Sequence, residues 1–338
     1  MDLRCMERSN VRTFQRSNAL PRTLALLLVS VLWLTACAGG RPAGLLRPNG
    51  VAVAPDGTLF VMDRGHYRVV HLAPDGRVLG SFGRLGSGPD QIFAGWDMSL
   101  DADGNVYICN LTRDENGMLV RDGVKVFTAR GKLLREVGGQ DYTFEMNSSN
   151  PYGLDTDSAG RVYIADYAGN TLRVFDPDGE MLATFFGQEG SADGEFNGVN
   201  DVSVDDQRGL VYVADNVNSR VQQFRLTVTA GGEVTLTHRL SFGTYGQEPG
   251  QFAYLQYLAV DEASGRLYVN DMGNYRIQAF DAEGRFLAEF GPPGVDKWQG
   301  MGLTVGPDGA IYIADALNNA VWVFEPDGRL RARIEAHD

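Results

Sequence analysis

The sequence predicts an all-β fold, a six-bladed β-propeller built from four-stranded antiparallel blades. The first observation is a recurring stretch, clearest at 160–179, in which two short apolar runs lie between glycine-containing turns. Such runs are typical of paired β-strands. The second is its return at a period of about 50 residues, which indicates a solenoid or a propeller. The third is a flanking strand on each side, which brings every repeat to four strands.

Five copies of the stretch keep an acid nine residues before the apolar residue that closes the second run. These pairs are Asp63/Leu72, Asp166/Phe175, Asp215/Phe224, Asp271/Phe280 and Asp315/Phe324. A sixth, looser copy has Asn110 in place of the acid and resumes at 124–127. Because the register is kept, each copy should form the same unit, and the number of blades is six.

An innermost strand precedes each copy and an outer strand follows it. The innermost strands are predicted at 50–53, 97–100, 153–156, 201–204, 257–260 and 302–305. The outer strands are predicted at 77–83, 132–138, 180–187, 234–243, 285–291 and 329–335. All four strands of the last blade are consecutive, so we expect no strand exchange between the first and last blades. Face packing of blade six on blade one then closes the ring, or residues 41–48 add an edge strand.

The repeated pattern YxAD…N…R…F…DG…FG resembles the NHL repeat, and the resemblance covers residues 45–338. The blades are expected at about 45–92, 93–142, 143–195, 196–251, 252–299 and 300–338. The resemblance implies the fold. It does not imply one function, because a propeller carries many unrelated functions.

Residues 1–36 are predicted to be a lipoprotein signal peptide. Arginines precede an apolar run at 24–34, which is too short to span a bilayer but fits a signal-peptide core. The next residues, Leu34-Thr35-Ala36-Cys37, resemble the lipobox of bacterial lipoproteins. This resemblance implies cleavage before Cys37, a lipid such as palmitate on Cys37, and a tether over 37–44. The alternative is an ordinary signal peptide with a chance cysteine.

The same resemblance implies where the protein resides. Ala38, not aspartate, follows the cysteine, which implies the periplasmic face of the outer membrane if the host is Gram-negative. The lipid would anchor the protein to the cell envelope, whether translation starts at Met1 or at Met6. We expect a monomer.

The net charge and the positions of the histidines argue against several functions. A net charge of −13 argues against nucleic acid, which requires a basic surface. The four histidines, His66, His71, His238 and His337, occupy positions that should not converge. This disfavours a three-histidine zinc site like that of the amidating lyases, whose propeller this repeat resembles. It equally disfavours a histidine-dependent lyase of the streptogramin-inactivating kind.

Several repeated residues are predicted to be structural. The acid that closes each second strand should accept backbone N–H bonds, and Arg68, Arg220 and Arg276 should pair with it. Four tyrosines hold equivalent places in the second strands and should be buried: Tyr163, Tyr212, Tyr268 and Tyr312. Cys109 lies in an apolar strand and should be a core thiol.

The innermost strands place small or polar residues toward the axis and apolar residues away from it. Steric crowding at the axis is enough to explain the small residues. It does not explain Asp97, Asp155 and Asp201, which lie on three consecutive blades. Three carboxylates near one axis repel one another unless they are hydrogen-bonded, protonated or bridged by a cation. Oxygen ligands suit Ca²⁺ or Mg²⁺, so these three residues are the predicted metal ligands.

The face on which the innermost strands begin, called the top face here, is the predicted binding face. The longer connections lie there, including a loop predicted at 111–122. The predicted ligand-binding residues at the channel mouth are Asn49, Trp96, Tyr152, Asn200, Gln256 and Tyr257. Aromatic and amide side chains together suit a glycan or an extended peptide, although aromatics are also common in propeller packing.

Three functions are compatible with these features. The first is a lipid-anchored binding or scaffold protein of the cell envelope, with a protein, peptide or glycan ligand on the top face. The second is an enzyme, a lyase or lactone hydrolase, with a divalent cation in the channel. The third is a structural member of an envelope complex. No catalytic residues are evident, so the sequence favours a protein that is not an enzyme.

Overall fold

The computed structural model describes residues 44–86, 88–113, 119–138, 151–167 and 169–338. These residues form six sheets, each of four antiparallel strands in sequential order. The six-bladed propeller predicted from the repeat is therefore confirmed. Helix in the described ranges is limited to two 3₁₀ turns, Arg64–His66 and Met272–Asn274. Within those ranges, no helix is long and apolar enough to cross a bilayer.

The strands follow the four predicted places in every blade. The innermost strands are β1 (Pro48–Val53), β5 (Ala94–Leu100), β9 (Pro151–Thr156), β13 (Val199–Asp205), β17 (Leu255–Asp261) and β21 (Gly300–Val305). The second strands are β2 (Leu59–Asp63), β6 (Val106–Arg113), β10 (Val162–Asp166), β14 (Leu210–Asp215), β18 (Arg266–Asp271) and β22 (Ile311–Asp315). The third strands are β3 (Arg68–Leu72), β7 (Leu119–Phe127), β11 (Thr171–Phe175), β15 (Arg220–Val228), β19 (Arg276–Phe280) and β23 (Ala320–Phe324). The outer strands are β4 (Val78–Phe82), β8 (Leu133–Val137), β12 (Met181–Phe186), β16 (Val234–Phe242), β20 (Phe286–Phe290) and β24 (Leu330–Ile334).

The hydrophobic core is divided into six clusters, one between each pair of neighbouring blades. Each second strand contributes to the clusters on both of its sides, because its side chains alternate between the two faces of the sheet. This is why these strands are apolar at nearly every position. Tyr163, Tyr212, Tyr268 and Tyr312 are all buried, as predicted.

The acid at the end of the second strand fastens the turn that follows it. Asp215 is fully buried, accepts a bond from the backbone N–H of Asn197 at 2.8 Å, and pairs with Arg220 at 2.7 Å. Asp271 pairs with Arg276 at 2.9 Å in the same way. Blade six lacks the arginine, and the indole of Trp322 donates to Asp315 instead, at 2.8 Å. The predicted structural role of these acids is confirmed.

Two hairpins depart from the regular blade. Blade four extends β15 and β16, which stay paired as far as Val228 and Val234, as the sequence predicted. In blade two the prediction of a loop over 111–122 is wrong in its extent. Both strands continue into it, with Leu111 opposite Arg121 and Arg113 opposite Leu119. Residues 114–118 lie outside the described residues. The extra residues therefore lengthen a β-hairpin, because strand pairing satisfies their backbone groups.

The ring is closed without strand exchange, as expected, but the chain adds one contact that was not predicted. His337 forms a parallel bridge with Arg77 at the edge of blade one. Its N–H donates to the carbonyl of Gly76, and its carbonyl accepts from the N–H of Val78. Gly76 has φ +93°, and a Cβ there would lie 2.4 Å from the carbonyl oxygen of Glu335. Only glycine permits this close contact.

Candidate functional site

The top end of the central channel is closed by Tyr257. This side chain leaves β17 in blade five, is almost fully buried, and its hydroxyl donates to the backbone carbonyl of Trp96 in blade two at 3.3 Å. Blades two and five are opposite each other in a ring of six. The tyrosine therefore crosses the axis and blocks it.

Aromatic side chains cover this tyrosine. Trp96 and Tyr152 stack with ring centroids 4.8 Å apart, and the guanidinium of Arg64 lies 4.4 Å above the indole ring. The side-chain amide of Gln256 donates to the Tyr152 hydroxyl at 3.3 Å. We call Trp96, Tyr152, Gln256 and Tyr257 the channel plug.

The predicted ligand-binding residues are brought together, but mostly away from solvent. Asn49 and Asn200 are buried, and their side-chain amides donate to the carbonyls of Gly95 and Leu255 in neighbouring blades. Gln256 and Tyr257 are equally buried. The sequence predicted that these residues line an open channel mouth. The four buried residues instead make hydrogen bonds between blades. The reason is a register shift near the start of most innermost strands, for example between Leu255 and Leu258. Such a bulge changes the directions of the side chains from those of a regular strand.

A cavity of about 210 Å³ lies in the channel below the plug, toward the face opposite the top face, called the bottom face. All six innermost strands contribute to its wall. Its polar lining residues are Asp97, Ser99, Asp155, Thr156, Asp201, Ser203, Glu262 and Thr304. Ser99, Asp155 and Thr304 are only half-buried, which indicates that water reaches them from the bottom face. We call this space the channel cavity.

The three aspartates predicted to meet at the axis all line this cavity, each held by a blade neighbour. One oxygen of Asp97 accepts from the N–H of Leu154 at 3.0 Å. One oxygen of Asp155 accepts from Val204 at 2.9 Å, and one of Asp201 accepts from Leu258 at 2.7 Å. Each carboxyl group therefore links its own innermost strand to that of the next blade.

Burial shifts the ionisation of these groups. Desolvation raises the pKa of Asp97 and of Asp155 to about 7, although backbone N–H bonds oppose the shift. Burial, followed by the charge of Asp97, raises the pKa of Asp201 well above its usual value. Burial therefore favours the protonated form of these carboxyl groups relative to an exposed aspartate.

The channel does not offer an evident metal centre. Across the residues that the structure describes, no three His, Cys, Asp or Glu side chains are arranged to share a metal ion. The histidines are dispersed, as predicted: His66 bonds Asp63, His71 stacks on Phe60, and His238 contacts Asp193. A zinc site of three histidines does not fit, and Ca²⁺ on the three aspartates stays a prediction. Cys37, the predicted lipidation site, lies outside the described residues, as do residues 1–43.

The sequence interpretation missed a groove on the top face between blades five and six. It has a volume of about 460 Å³ and is lined by Tyr254, Met272, Tyr275, Trp298 and Leu317, among others. The side chain of Leu317 is 56% exposed and that of Tyr275 is 46% exposed, whereas Trp298 forms a buried wall. We call it the top-face groove.

One sequence signal for this groove was available. Tyr67 and Tyr275 occupy the turn position that holds Asn170 in blade three and Asn319 in blade six. All four residues have the left-handed conformation, with φ between 50° and 56°. Asparagine tolerates that conformation, whereas a bulky residue rarely adopts it. A tyrosine in this place is therefore an anomaly, and both tyrosines border top-face pockets.

Comparison with known proteins agrees with this architecture. The model of the NHL repeat matches residues 45–72 and 196–224. The molecule is thus a six-bladed β-propeller in which two segments match the model of the NHL repeat. Peptidyl-glycine alpha-amidating monooxygenase B of Xenopus laevis is 23% identical over 249 residues, which cover 71% of this chain but only 27% of that protein.

Two solved structures share the fold at low sequence identity. A streptogramin B lyase superposes with a TM-score of 0.56 at 15% identity, covering 88% of this chain and 85% of the lyase. A gluconolactonase of Xanthomonas campestris gives 0.59 at 15% identity, covering 82% and 86%. At this identity the similarity concerns the fold alone.

Proposed function

We propose that this protein is a lipid-anchored binding protein of the cell envelope, and that its ligand occupies the top-face groove. The anchor rests on the lipobox-like Leu34–Cys37 and is a proposal from sequence. The binding role is supported by the groove and by the closed top end of the channel, which leaves no open pore at the axis on that face.

The observation that carries the proposal is the conformation of Tyr275. Its φ of 56° places it in the left-handed region, where a non-glycine residue costs about 1–3 kcal/mol. Asn170 and Asn319 adopt the same conformation in equivalent turns with a residue suited to it. The turn does not require a tyrosine, so the conformation of the turn does not explain the aromatic ring, which lies half-exposed in the groove.

The chemistry of the groove favours an extended peptide segment of an envelope protein. Tyr254 and Tyr275 offer aromatic surface, and Leu317 adds aliphatic surface beside them. Tyr245, which is 78% exposed, and Val217 continue the apolar exposure on neighbouring blades. Aromatic anchors of this kind dominate the binding energy of protein interfaces. A glycan would stack on the tyrosines but gain little from the aliphatic surface.

The proposal is tested by placing a photo-crosslinking residue at position 275 of the full-length protein in cells. The crosslinked envelope protein is identified and purified, and its affinity is measured by titration. Tyr275→Asn should weaken binding by about tenfold or more, because an aromatic anchor is lost. Leu287→Ser is the matched control, since Leu287 lies on the outer strand of the same blade and is also 46% exposed. Equal effects of the two substitutions would contradict the proposal.

The anchor is tested separately. Cys37→Ser should abolish labelling by radioactive palmitate and release the protein from the membrane fraction. Unlabelled wild-type protein in the soluble fraction would refute the lipoprotein proposal while leaving the groove unaffected.

A channel enzyme with a divalent cation is the second candidate. The observation that favours it is the channel cavity with its three aspartates, in a fold shared with a lyase and a gluconolactonase. If a divalent ion bridges the aspartates, a chelator should lower the melting temperature, because a ligand of the folded state alone stabilises it. Replacing all three by Asn should remove that sensitivity. A chelator without effect, together with a triple variant more stable than the wild type, would exclude this candidate.

A further inference from the structure

The channel cavity has the form of a binding site for a small molecule. It is closed at the top by Tyr257 and is walled by all six innermost strands. Its volume of about 210 Å³ is several times the share of one water molecule, about 30 Å³. It therefore has room for a compact organic molecule. This inference goes beyond the proposed top-face function and does not depend on it.

The charged side chains in the wall of the channel cavity are all acidic. Asp97, Asp155, Asp201 and Glu262 line the cavity, and no Lys, Arg or His is among the described residues that line it. On the bottom face, Arg208 contacts the backbone carbonyl of Glu262 but is paired with Asp205 at 3.1 Å. Buried carboxylates are normally matched by a cation. No side chain of the described wall supplies that match, so the carboxyl groups are neutralised either by protons or, when they are ionised, by a cationic ligand.

One acceptor is left without a partner. Asp201 is only 2% exposed, and its Oδ2 accepts from the N–H of Leu258. Its Oδ1 has no hydrogen-bond partner among the residues described. That oxygen occupies the space beside Gly153, where a Cβ would lie 1.9 Å from it. A buried carboxyl oxygen without a hydrogen-bond partner is destabilising, so Asp201 lowers stability at this position.

The arrangement suits an ammonium group better than a metal ion. A divalent metal needs several ligands converging within about 2.6 Å of one point. The described residues provide no such cluster of acidic, histidine or cysteine side chains. The acceptors are instead spread around the wall, where the three N–H donors of an ammonium can reach different ones.

The remaining wall is apolar and indicates what the ammonium carries. Ala52, Ala259, Leu303 and Val305 lie between the polar positions. These side chains can cover the methylene groups of a ligand. We propose that the channel cavity binds a small organic amine, a primary ammonium group on a short carbon chain, which enters from the bottom face.

The experiment uses the full-length protein at pH 8 and 1,4-diaminobutane as the probe, followed by calorimetry and by thermal melting. The uncharged analogue 1,4-butanediol has the same carbon chain, and CaCl₂ supplies a divalent metal. We expect the diamine to bind and to raise the melting temperature, and the other two compounds to have no effect. Asp201→Asn keeps the acceptor for Leu258 but removes the charge. It should weaken diamine binding by about tenfold or more.

Two further variants separate the cavity from general attraction and from misfolding. Glu233→Gln removes an exposed acid from the bottom-face hairpin of blade four and should bind the diamine normally. Thr304→Leu keeps every carboxyl group but fills part of the cavity, and should also abolish binding. The proposal is overturned if the wild-type protein does not bind the diamine or binds the diol equally. It is likewise overturned if Ca²⁺ replaces the diamine as the stabilising compound, or if both cavity variants bind normally.

Discussion

The two ends of the central channel are built from the same six strands but are opposite in character. At the top, Tyr257 and the rings of Trp96 and Tyr152 fill the axis and exclude water. At the bottom, Asp155 and Thr304 leave it open and polar. The same six strands surround both ends of the channel, and the side chain of Tyr257 is what makes one end a packed core and leaves the other a pocket.

The difference also has an energetic side. The plug adds aromatic burial, which stabilises the folded state. The carboxyl groups below it are buried at a cost, as their raised pKa values indicate. Residues that lower stability without serving packing are expected at functional positions. Within the channel, the plug at the top end contributes stability, whereas the proposed amine site lies at the open bottom end.

The largest expected effect comes from opening the closed end. Tyr257→Ala should lower the free energy of unfolding by about 3–5 kcal/mol, because a buried aromatic ring is lost. Urea denaturation measures it. Tyr212→Ala, at an equally buried tyrosine away from the axis, should cost a similar amount. Tyr257→Phe should cost about 1 kcal/mol, the value of its hydrogen bond to Trp96. A loss below 1 kcal/mol for Tyr257→Ala would mean that the plug is not structural.

The second prediction concerns pH and the open end. Asp155 has an unfolded-state pKa near 3.8 and a folded-state pKa of about 7. Between these values the folded protein keeps a proton that the unfolded chain has lost. Its contribution to stability is therefore present at low pH and is lost as pH rises toward 7, by about 1.4 kcal/mol per pH unit.

This pH dependence is isolated by comparing the wild type with Asp155→Asn in urea denaturation between pH 4.5 and pH 7.5. The difference in unfolding free energy between the two proteins should change with pH in favour of the variant, and level off above pH 7. A constant difference across this range would show that Asp155 titrates normally.

The third prediction separates the two roles of Asp201. Asp201→Ala leaves the N–H of Leu258 without an acceptor and should cost about 1–3 kcal/mol. Asp201→Asn keeps an acceptor there and should be no less stable than the wild type at pH 8. Thermal melting of the two variants side by side measures the contrast. If both lose stability equally, the charge of Asp201, and not the strand contact, matters for folding.

The smallest effect is expected on the top face outside the plug. Tyr275→Asn places a residue suited to the left-handed conformation in that turn, and should raise stability by up to about 1 kcal/mol. Calorimetric melting against the wild type is the measurement. A clear loss of stability would show that the tyrosine ring packs as part of the fold, and would weaken its assignment to binding.

The sequence predicted the fold almost completely, and the reason is local. The period of the repeat and the position of Asp63, Asp215 and Asp271 define the second strand, its turn and the third strand together. Each of these features depends on residues within a few positions. The blade count and the burial of Tyr212 follow directly.

The candidate site was predictable only in part, because it depends on distances across the ring. That Asp97, Asp155 and Asp201 face the channel follows from strand alternation. The contact between Tyr257 and Trp96 does not follow from strand alternation. The two residues are 161 positions apart and meet only when opposite blades have a fixed tilt. The burial of Asn49 and Asn200 was likewise not predicted, because their side-chain amides bond to carbonyl groups of neighbouring blades.

The bridge between His337 and Arg77 has a consequence for the order in which the chain folds. The edge strand of blade one receives its last backbone partner only after residue 337 has left the ribosome, 260 residues later. Contacts this distant in sequence form slowly, and an incomplete ring exposes strand edges. The completion of this strand edge is therefore expected to be a late step of folding, after the strands of the six blades have paired.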